Sequence, residues 1–239
     1  KRPDGYHDIR TLFQWIDFHD TLDLRPRSGP EIMLSGDDPS IPWDERNLVY
    51  RAAALLREKT GYREGAEIAV TKRIPAGGGL GGGSSNAAAA LYGLNFLWDL
   101  GLTREDLAGL GLRLGMDVPY FLTGGLCLGE DRGDRLTLLP ELPPTWLVLV
   151  LPPFPVPTAL IYGSFGSDAL TSGGKDSKIT RFLETRNPGS LMNALEETIF
   201  RFFPQLDEIK GFLRGQGALL SLVTGSGAGV FALFEDRGR

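Results

Sequence analysis

Short runs of apolar residues broken by polar ones stand at Ile9 to Ile16, Thr21 to Arg25 and Glu31 to Leu34, with strict alternation in Thr21 to Arg25. They read as short strands, joined by turn residues such as Asp20 and the Ser28-Gly-Pro30 stretch. From Asn47 to Thr60 the period lengthens: Leu48, Ala52, Leu55 and Leu56 recur at helical spacing, and Gly61 closes the helix. A strand over Glu67 to Ile74 and a helix over Ala87 to Trp98 come next. Thr103, with Asp106 at capping-box spacing, opens another helix that runs to about Leu114. Strands are expected near Leu126 to Gly129 and Arg135 to Leu139. The prolines at 140, 143 and 144 mark a boundary between domains at 1–142 and 143–239. Beyond it, the unbroken apolar run Trp146 to Leu151 reads as a buried strand. Helices are expected over Pro157 to Tyr162, Asp176 to Thr185, Glu196 to Phe203 and Pro204 to Leu213, and strands over Leu219 to Val223 and Gly229 to Phe234. Ser167 to Lys175 is polar and glycine-rich, the pattern of a mobile loop. The order is that of an α+β chain in two subdomains, without an internal repeat.

Between the Glu67–Ile74 strand and the alanine-rich helix, the pattern is replaced by Pro75-Ala-Gly77-Gly78-Gly79-Leu80-Gly81-Gly82-Gly83-Ser84-Ser85-Asn86. Glycine admits positive φ and lets a ligand approach backbone amides with no Cβ in the way. Ser84, Ser85 and Asn86 suit the N-terminus of the helix. Unpaired N–H groups and the positive end of the helix dipole then face the loop, which makes an anion site. A flexible linker does not fit a segment flanked this closely by a strand and a helix. No lysine stands between Gly77 and Ser85, so the loop is not a P-loop. A dinucleotide fingerprint can be drawn through Gly77, Gly79 and Gly82, but Asp99, the only acid at the required distance, ends the same helix.

This loop resembles the phosphate motif of the GHMP kinases, the superfamily of galactokinase, homoserine kinase and mevalonate kinase. Three further segments are similar to those of the branch acting on 4-diphosphocytidyl-2-C-methyl-D-erythritol: Lys1-Arg-Pro-Asp-Gly-Tyr6-His7, Leu114-Gly-Met-Asp117-Val-Pro-Tyr-Phe121 and Thr224-Gly-Ser-Gly-Ala-Gly-Val-Phe231. Together they span nearly the whole chain. The resemblance implies an N-terminal domain like ribosomal protein S5 domain 2, a ferredoxin-like C-terminal domain, and an active site between them. It implies ATP-dependent phosphorylation of the substrate's 2-hydroxyl in non-mevalonate isoprenoid synthesis, with Mg²⁺ as cofactor. A monomer or weak homodimer with no nucleic-acid or membrane partner is expected.

The same resemblance distributes roles over residues that also have plainer readings. Amides from Gly79 to Ser85 are expected to hold the triphosphate. Ser84 and Ser85 are expected to touch phosphate or Mg²⁺, or simply to cap the helix. Lys72 corresponds to a lysine near the nucleotide, or is a solvated strand-end lysine. Asp117 corresponds to the general base that takes the hydroxyl proton, or caps the short segment from Val118 with Pro119 in its first turn. Tyr6 and His7 are expected on one side of the cytosine and Phe154 on the other, with core packing the alternative for Phe154. His19 has no matched role. The family's Asn-Asp-Leu-Glu segment stands here as Asn193-Ala194-Leu-Glu196. Its Pro-Ala-Lys-Ile-Asn-Leu strand, whose lysine partners the catalytic aspartate, is not in the sequence, and both ends look trimmed. A nucleotide-binding module without catalysis, or another GHMP kinase, stays open on these departures.

Composition narrows the picture little. Over 239 residues the charge is −5, with 42% hydrophobic and 23% charged residues, as in globular domains and unlike a basic nucleic-acid binder. Two histidines and one cysteine cannot assemble a His/Cys metal centre. Cys127 alone cannot form an internal disulfide and reads as a small buried strand residue. The absence of a long apolar run or leader-like segment points to the cytoplasm, or to a plastid stroma in a plant.

Overall fold

The computed structural model describes residues 8–165 and 174–237. The described residues divide into two units, one joining those up to Ala76 with Gly81–Leu139, the other joining Gly77–Leu80 with those from Pro140 onward.

The first unit is built on a sheet in which β4 (Gly65–Thr71) lies between β2 (Thr21–Arg27) and β3 (Ile32–Gly36). β2 is antiparallel to β4, whereas β3 is parallel to it. Parallel neighbours need a crossover, and α1 (Leu48–Thr60) supplies it, with the Asn47 side chain accepting from Val49 N–H and Gly61 closing it at φ 72°. Pro26 is tolerated because β2 is an edge strand. α2 (Gly82–Leu97) packs its alanine face on α1 and the sheet, burying Ala87, Ala90, Leu91 and Leu94 with Leu56 and Ile68 at 0–2% exposure. Each such leucine or isoleucine contributes about 1.5–3 kcal/mol by leaving water. α3 (Arg104–Leu114) starts at the expected Thr103–Asp106 capping box, and α4 (Val118–Thr123) follows it. β1 (Thr11–Gln14), β5 (Leu126–Glu130) and β6 (Arg135–Leu139) form a second, antiparallel sheet, within which Cys127 is buried as expected.

The second unit carries the antiparallel sheet β7 (Trp146–Val150), β9 (Val230–Phe234), β8 (Leu220–Val223), with β9 in the middle. Its helices are α5 (Thr158–Ser164), α6 (Gly174–Thr185), α7 (Glu196–Phe202) and α8 (Pro204–Gly215). Ile161, Ile199, Leu206 and Val230 fill its core at 0% exposure. Among the described residues no helix is long and apolar enough to cross a membrane.

Four expectations are corrected. β7 is not fully buried: as an edge strand it leaves Trp146 50% and Val148 39% exposed on one face, the Trp146 ring covered by the Arg237 guanidinium at 5.4 Å. β4 stops at Thr71 instead of Ile74, because Asp37 and Asp20 take the N–H groups of residues 72–74 and end the ladder. α2 begins at Gly82, a full turn before Ala87, so the serines lie inside its first turn and do not cap it. Of the loop expected over Ser167 to Lys175, Gly174 and Lys175 open α6, and the rest lies outside the described residues.

Candidate active site

The glycine loop is set up from its entry. Asp20 Oδ1 accepts from the N–H of Arg73 at 2.7 Å and of Ile74 at 2.8 Å, while Oδ2 takes the Lys72 ammonium. Both side chains are shut off from solvent, at 7% exposure for Lys72 and 0% for Asp20. Burial pushes the Asp20 carboxyl up, but the Ile74 N–H, the Lys72 ammonium and the Arg73 N–H outweigh it and hold the group below the usual aspartate range. Lys72 is therefore no solvated strand-end lysine. Its own N–H donates to Asp37 Oδ1 at 2.8 Å.

Past Pro75, the chain reaches positive φ at Gly77, Gly79 and Gly81, the last at φ 67° and ψ 22° as the N-cap of α2. The first helical hydrogen bond runs from Ser85 N–H to the Gly81 carbonyl at 2.8 Å. The amides of Gly82, Gly83 and Ser84 thus have no partner within the helix, the arrangement that receives an anion. A side chain at Gly81 would run into the Phe121 ring, 2.8 Å from its Cβ position. Ser85 donates to the Gly82 carbonyl at 2.9 Å, whereas the Ser84 hydroxyl has no hydrogen-bond partner among the described residues.

Gly78 and Gly79 are gripped by the C-terminal glycine motif of their own unit. Gly229 N–H donates to Gly78 O at 3.1 Å and Thr224 Oγ1 to Gly79 O at 3.0 Å. A Cβ on Gly79 would stand 2.5 Å from the Gly227 carbonyl oxygen. The motif is itself propped: Asn193 Nδ2 donates to the carbonyls of Val223 and Gly225 at 2.9 and 2.7 Å. Glu196 accepts from Val223 N–H at 2.9 Å and from Lys210 Nζ at 2.5 Å. Sequence reasoning missed Asp20, read only as a turn residue, and the propping roles of Asn193 and Glu196. An acid just before an edge strand and a buried glutamate carry no local pattern that names partners dozens of residues away.

Asp117 follows Gly115, the C-cap of α3, and occupies the N-cap position of α4 in helical backbone conformation, at φ −84°. Its side chain makes no capping hydrogen bond, so the plain capping reading fails. The carboxylate is reachable by solvent but crowded, and burial raises it above the ordinary aspartate range. No described residue pairs with it. Ser84 Oγ lies 3.9 Å from the position of a Cβ on Gly115, which brings the start of α2 beside the turn carrying Asp117.

Phe154 is half-buried and stacks on Phe203, with centroids 5.9 Å apart and planes at 9°, as part of the second core. Tyr6 and His7 lie outside the described residues. His19 is exposed and stands 3.7 Å from Asp17. Among the described residues no group of His, Cys, Asp and Glu could hold a metal by itself. An open groove lined by Tyr50, Arg57 and Tyr62 contains none of the expected residues.

The glycine loop at the start of α2 and the C-terminal glycine motif that holds Gly78 and Gly79 are the segments that resemble the GHMP kinases, and models of that family match here. Their N terminal domain covers residues 47–125 and their C terminal domain residues 181–239. The 4-diphosphocytidyl-2-C-methyl-D-erythritol kinase of Exiguobacterium sibiricum is 40% identical, matching 100% of this chain and 85% of its own length. That of Methylococcus capsulatus is 45% identical over 98% of this chain and 77% of its own. A crystal structure of 4-(cytidine 5'-diphospho)-2C-methyl-D-erythritol kinase superposes with a TM-score of 0.83 at 38% identity, covering 98% of this chain and 84% of that one. The chain belongs to the 4-diphosphocytidyl-2-C-methyl-D-erythritol kinase family. Homoserine kinase from Cytophaga hutchinsonii, at 23% identity and a TM-score of 0.77, shares the fold.

Proposed function

We propose that the chain transfers the γ-phosphoryl group of ATP to the 2-hydroxyl of 4-diphosphocytidyl-2-C-methyl-D-erythritol. The observation that carries this is the identity of about 40% to that kinase along the whole chain, with the glycine loop and Asp117 intact. Phosphoryl transfer asks a protein for positioning and charge stabilisation above all. The amides from Gly79 to Ser85, three of them free of helix partners, cradle the phosphates. Asp117 accepts the hydroxyl proton: its carboxyl has no partner among the described residues and is raised by burial, which brings its basicity closer to what a general base needs at neutral pH.

The side chains present fit a Mg²⁺ held mainly by the nucleotide's own phosphates, because among the described residues Ser84 offers a hydroxyl without a hydrogen-bond partner and no carboxylate cluster competes. Bound there, Mg²⁺ would neutralise charge on the phosphate oxygens. Tyr6, His7 and Phe154 are proposed to contact the cytosine. One face of the Phe154 ring is stacked on Phe203, which leaves that role to the other face.

The test is turnover with ATP and 4-diphosphocytidyl-2-C-methyl-D-erythritol, following ADP release and the new phosphate monoester by ³¹P NMR, beside homoserine and mevalonate as competing alcohols. Phosphorylation of the cytidine substrate alone is expected. Turnover of homoserine or mevalonate instead would move the chain to another kinase activity. ATP binding with no transfer to any of them would leave a nucleotide-binding module.

A further inference from the structure

The Lys72 ammonium makes one hydrogen bond among the described residues, to Asp20, although its side chain is only 7% exposed. An ammonium carries three N–H donors, so two find no acceptor among the described residues of a nearly closed site. The position of a Cβ on Gly82 lies 3.4 Å from Nζ. The cation therefore sits directly beside the first residue of α2, where the free helix amides and the dipole already make the surroundings positive. A cation at the start of a helix is unfavourable unless anions face it. Asp20 provides one such anion, and the two spare donors call for another.

Asp20 also fixes the chain mechanically. It stands 53 and 54 positions before Arg73 and Ile74, and its Oδ1 takes both of their N–H groups. One carboxylate thus sets the exit of β4 and the place of the ammonium together. We propose that Asp20 is a positioning residue for the nucleotide: it anchors Lys72 Nζ beside Gly82, with two donors left for a phosphate oxygen, and pins residues 73 and 74 at the entrance of the glycine loop. This rests on the reading of that loop as the ATP phosphate site. Asp20 itself touches no phosphate.

Three variants of the full chain test it: Asp20→Asn, Lys72→Met, and both together. The readouts are the Kd for ATP with Mg²⁺ by calorimetry, the KM values for ATP and for the cytidine substrate, and Tm. Asp20→Asn keeps acceptor oxygen for the backbone but turns an amide toward the ammonium, and should raise the Kd and KM for ATP roughly 10- to 100-fold, the loss of one charge-assisted contact. The KM for the cytidine substrate should stay within about twofold. Lys72→Met should weaken ATP to a similar extent while leaving both backbone bonds of Asp20 in place. The double variant removes an uncompensated charge and should recover Tm without recovering ATP affinity. A double variant that regains both would make the pair a structural ion pair and overturn the proposal. So would wild-type ATP affinity in Lys72→Met, which decides the matter even if Asp20→Asn does not fold. Wild-type protein that binds no ATP would instead overturn the nucleotide reading of the loop and take this inference with it.

Discussion

The hydroxyl of Thr224 donates a 3.0 Å hydrogen bond to the carbonyl of Gly79, a residue 145 positions earlier. With the Gly229 N–H on Gly78 O, it ties the tip of the glycine loop to the C-terminal motif of the same unit. Thr224→Val keeps the shape and removes the donor, leaving the Gly79 carbonyl short of a partner. It should cost about 1 kcal/mol of stability and loosen ATP binding roughly 3- to 10-fold. Gly79→Ala is harsher: the residue sits at φ 72°, and a Cβ there meets the carbonyl oxygens of Gly227 and Thr224 at 2.5 and 2.8 Å. Calorimetric titration should find ATP binding lost in Gly79→Ala. An alanine variant with wild-type affinity would show that the tip of the loop does not contact nucleotide.

Much of this arrangement was legible in the sequence, and what was not has a common cause. The Thr103–Asp106 box, the Asn47-to-Gly61 helix and the β5–β6 hairpin follow from residues a few positions apart, and local physics decides them. The glycine run also marks the turn into α2, where Gly77, Gly79 and Gly81 take positive φ. The ends of elements were misjudged where distant side chains intervened. β4 stops early because Asp37 and Asp20, 35 to 54 positions away, take the next three amides. Trp146 was read as buried because an apolar run does not say whether its strand lies at the edge or the centre of a sheet.

Gly81 tests the loop from its other end. At φ 67° a non-glycine residue costs about 1–2 kcal/mol, and its Cβ would also stand 2.8 Å from the Phe121 ring. Gly81→Val should therefore lower Tm as well as weaken ATP by more than tenfold. Gly81→Ala in a Phe121→Leu background relieves the ring contact while keeping the backbone strain. Partial recovery of Tm, short of the wild type by the retained backbone strain, without recovery of ATP binding is the expected split, read by thermal melts with and without nucleotide. Full recovery of ATP binding would assign the defect to packing alone.

Phe154 divides its ring between packing and the proposed base contact. Stacked on Phe203 and half-buried, it should cost about 1–3 kcal/mol when truncated to alanine, less than a fully buried phenylalanine. Phe154→Leu preserves apolar volume but loses the flat face. It should keep most of the stability and raise the KM for the cytidine substrate severalfold, with the KM for ATP unchanged. Equal changes in both KM values would leave Phe154 with packing alone.

Asp117 joins stability and chemistry in one carboxyl. Burial holds that carboxyl above the ordinary aspartate range, so folding favours the neutral form. The cost is absent below the unfolded-state value, where the group is neutral in both states. It sets in as pH rises through the window between the unfolded and the folded value, and stays constant above it. Asp117→Asn is neutral throughout, so it should match the wild type in acid and exceed its Tm at neutral pH. Its turnover should fall by about 10²–10⁴, because an amide cannot take the hydroxyl proton. The Kd values for ATP and the cytidine substrate should barely move, since the lost interaction belongs to the transition state. In the wild type, the acid limb of kcat/KM should lie above the range of an ordinary aspartate. A variant that gains stability and keeps its turnover would confine Asp117 to a crowded charge without a catalytic part. An acid limb at the ordinary aspartate value would separate the raised carboxyl from the rate.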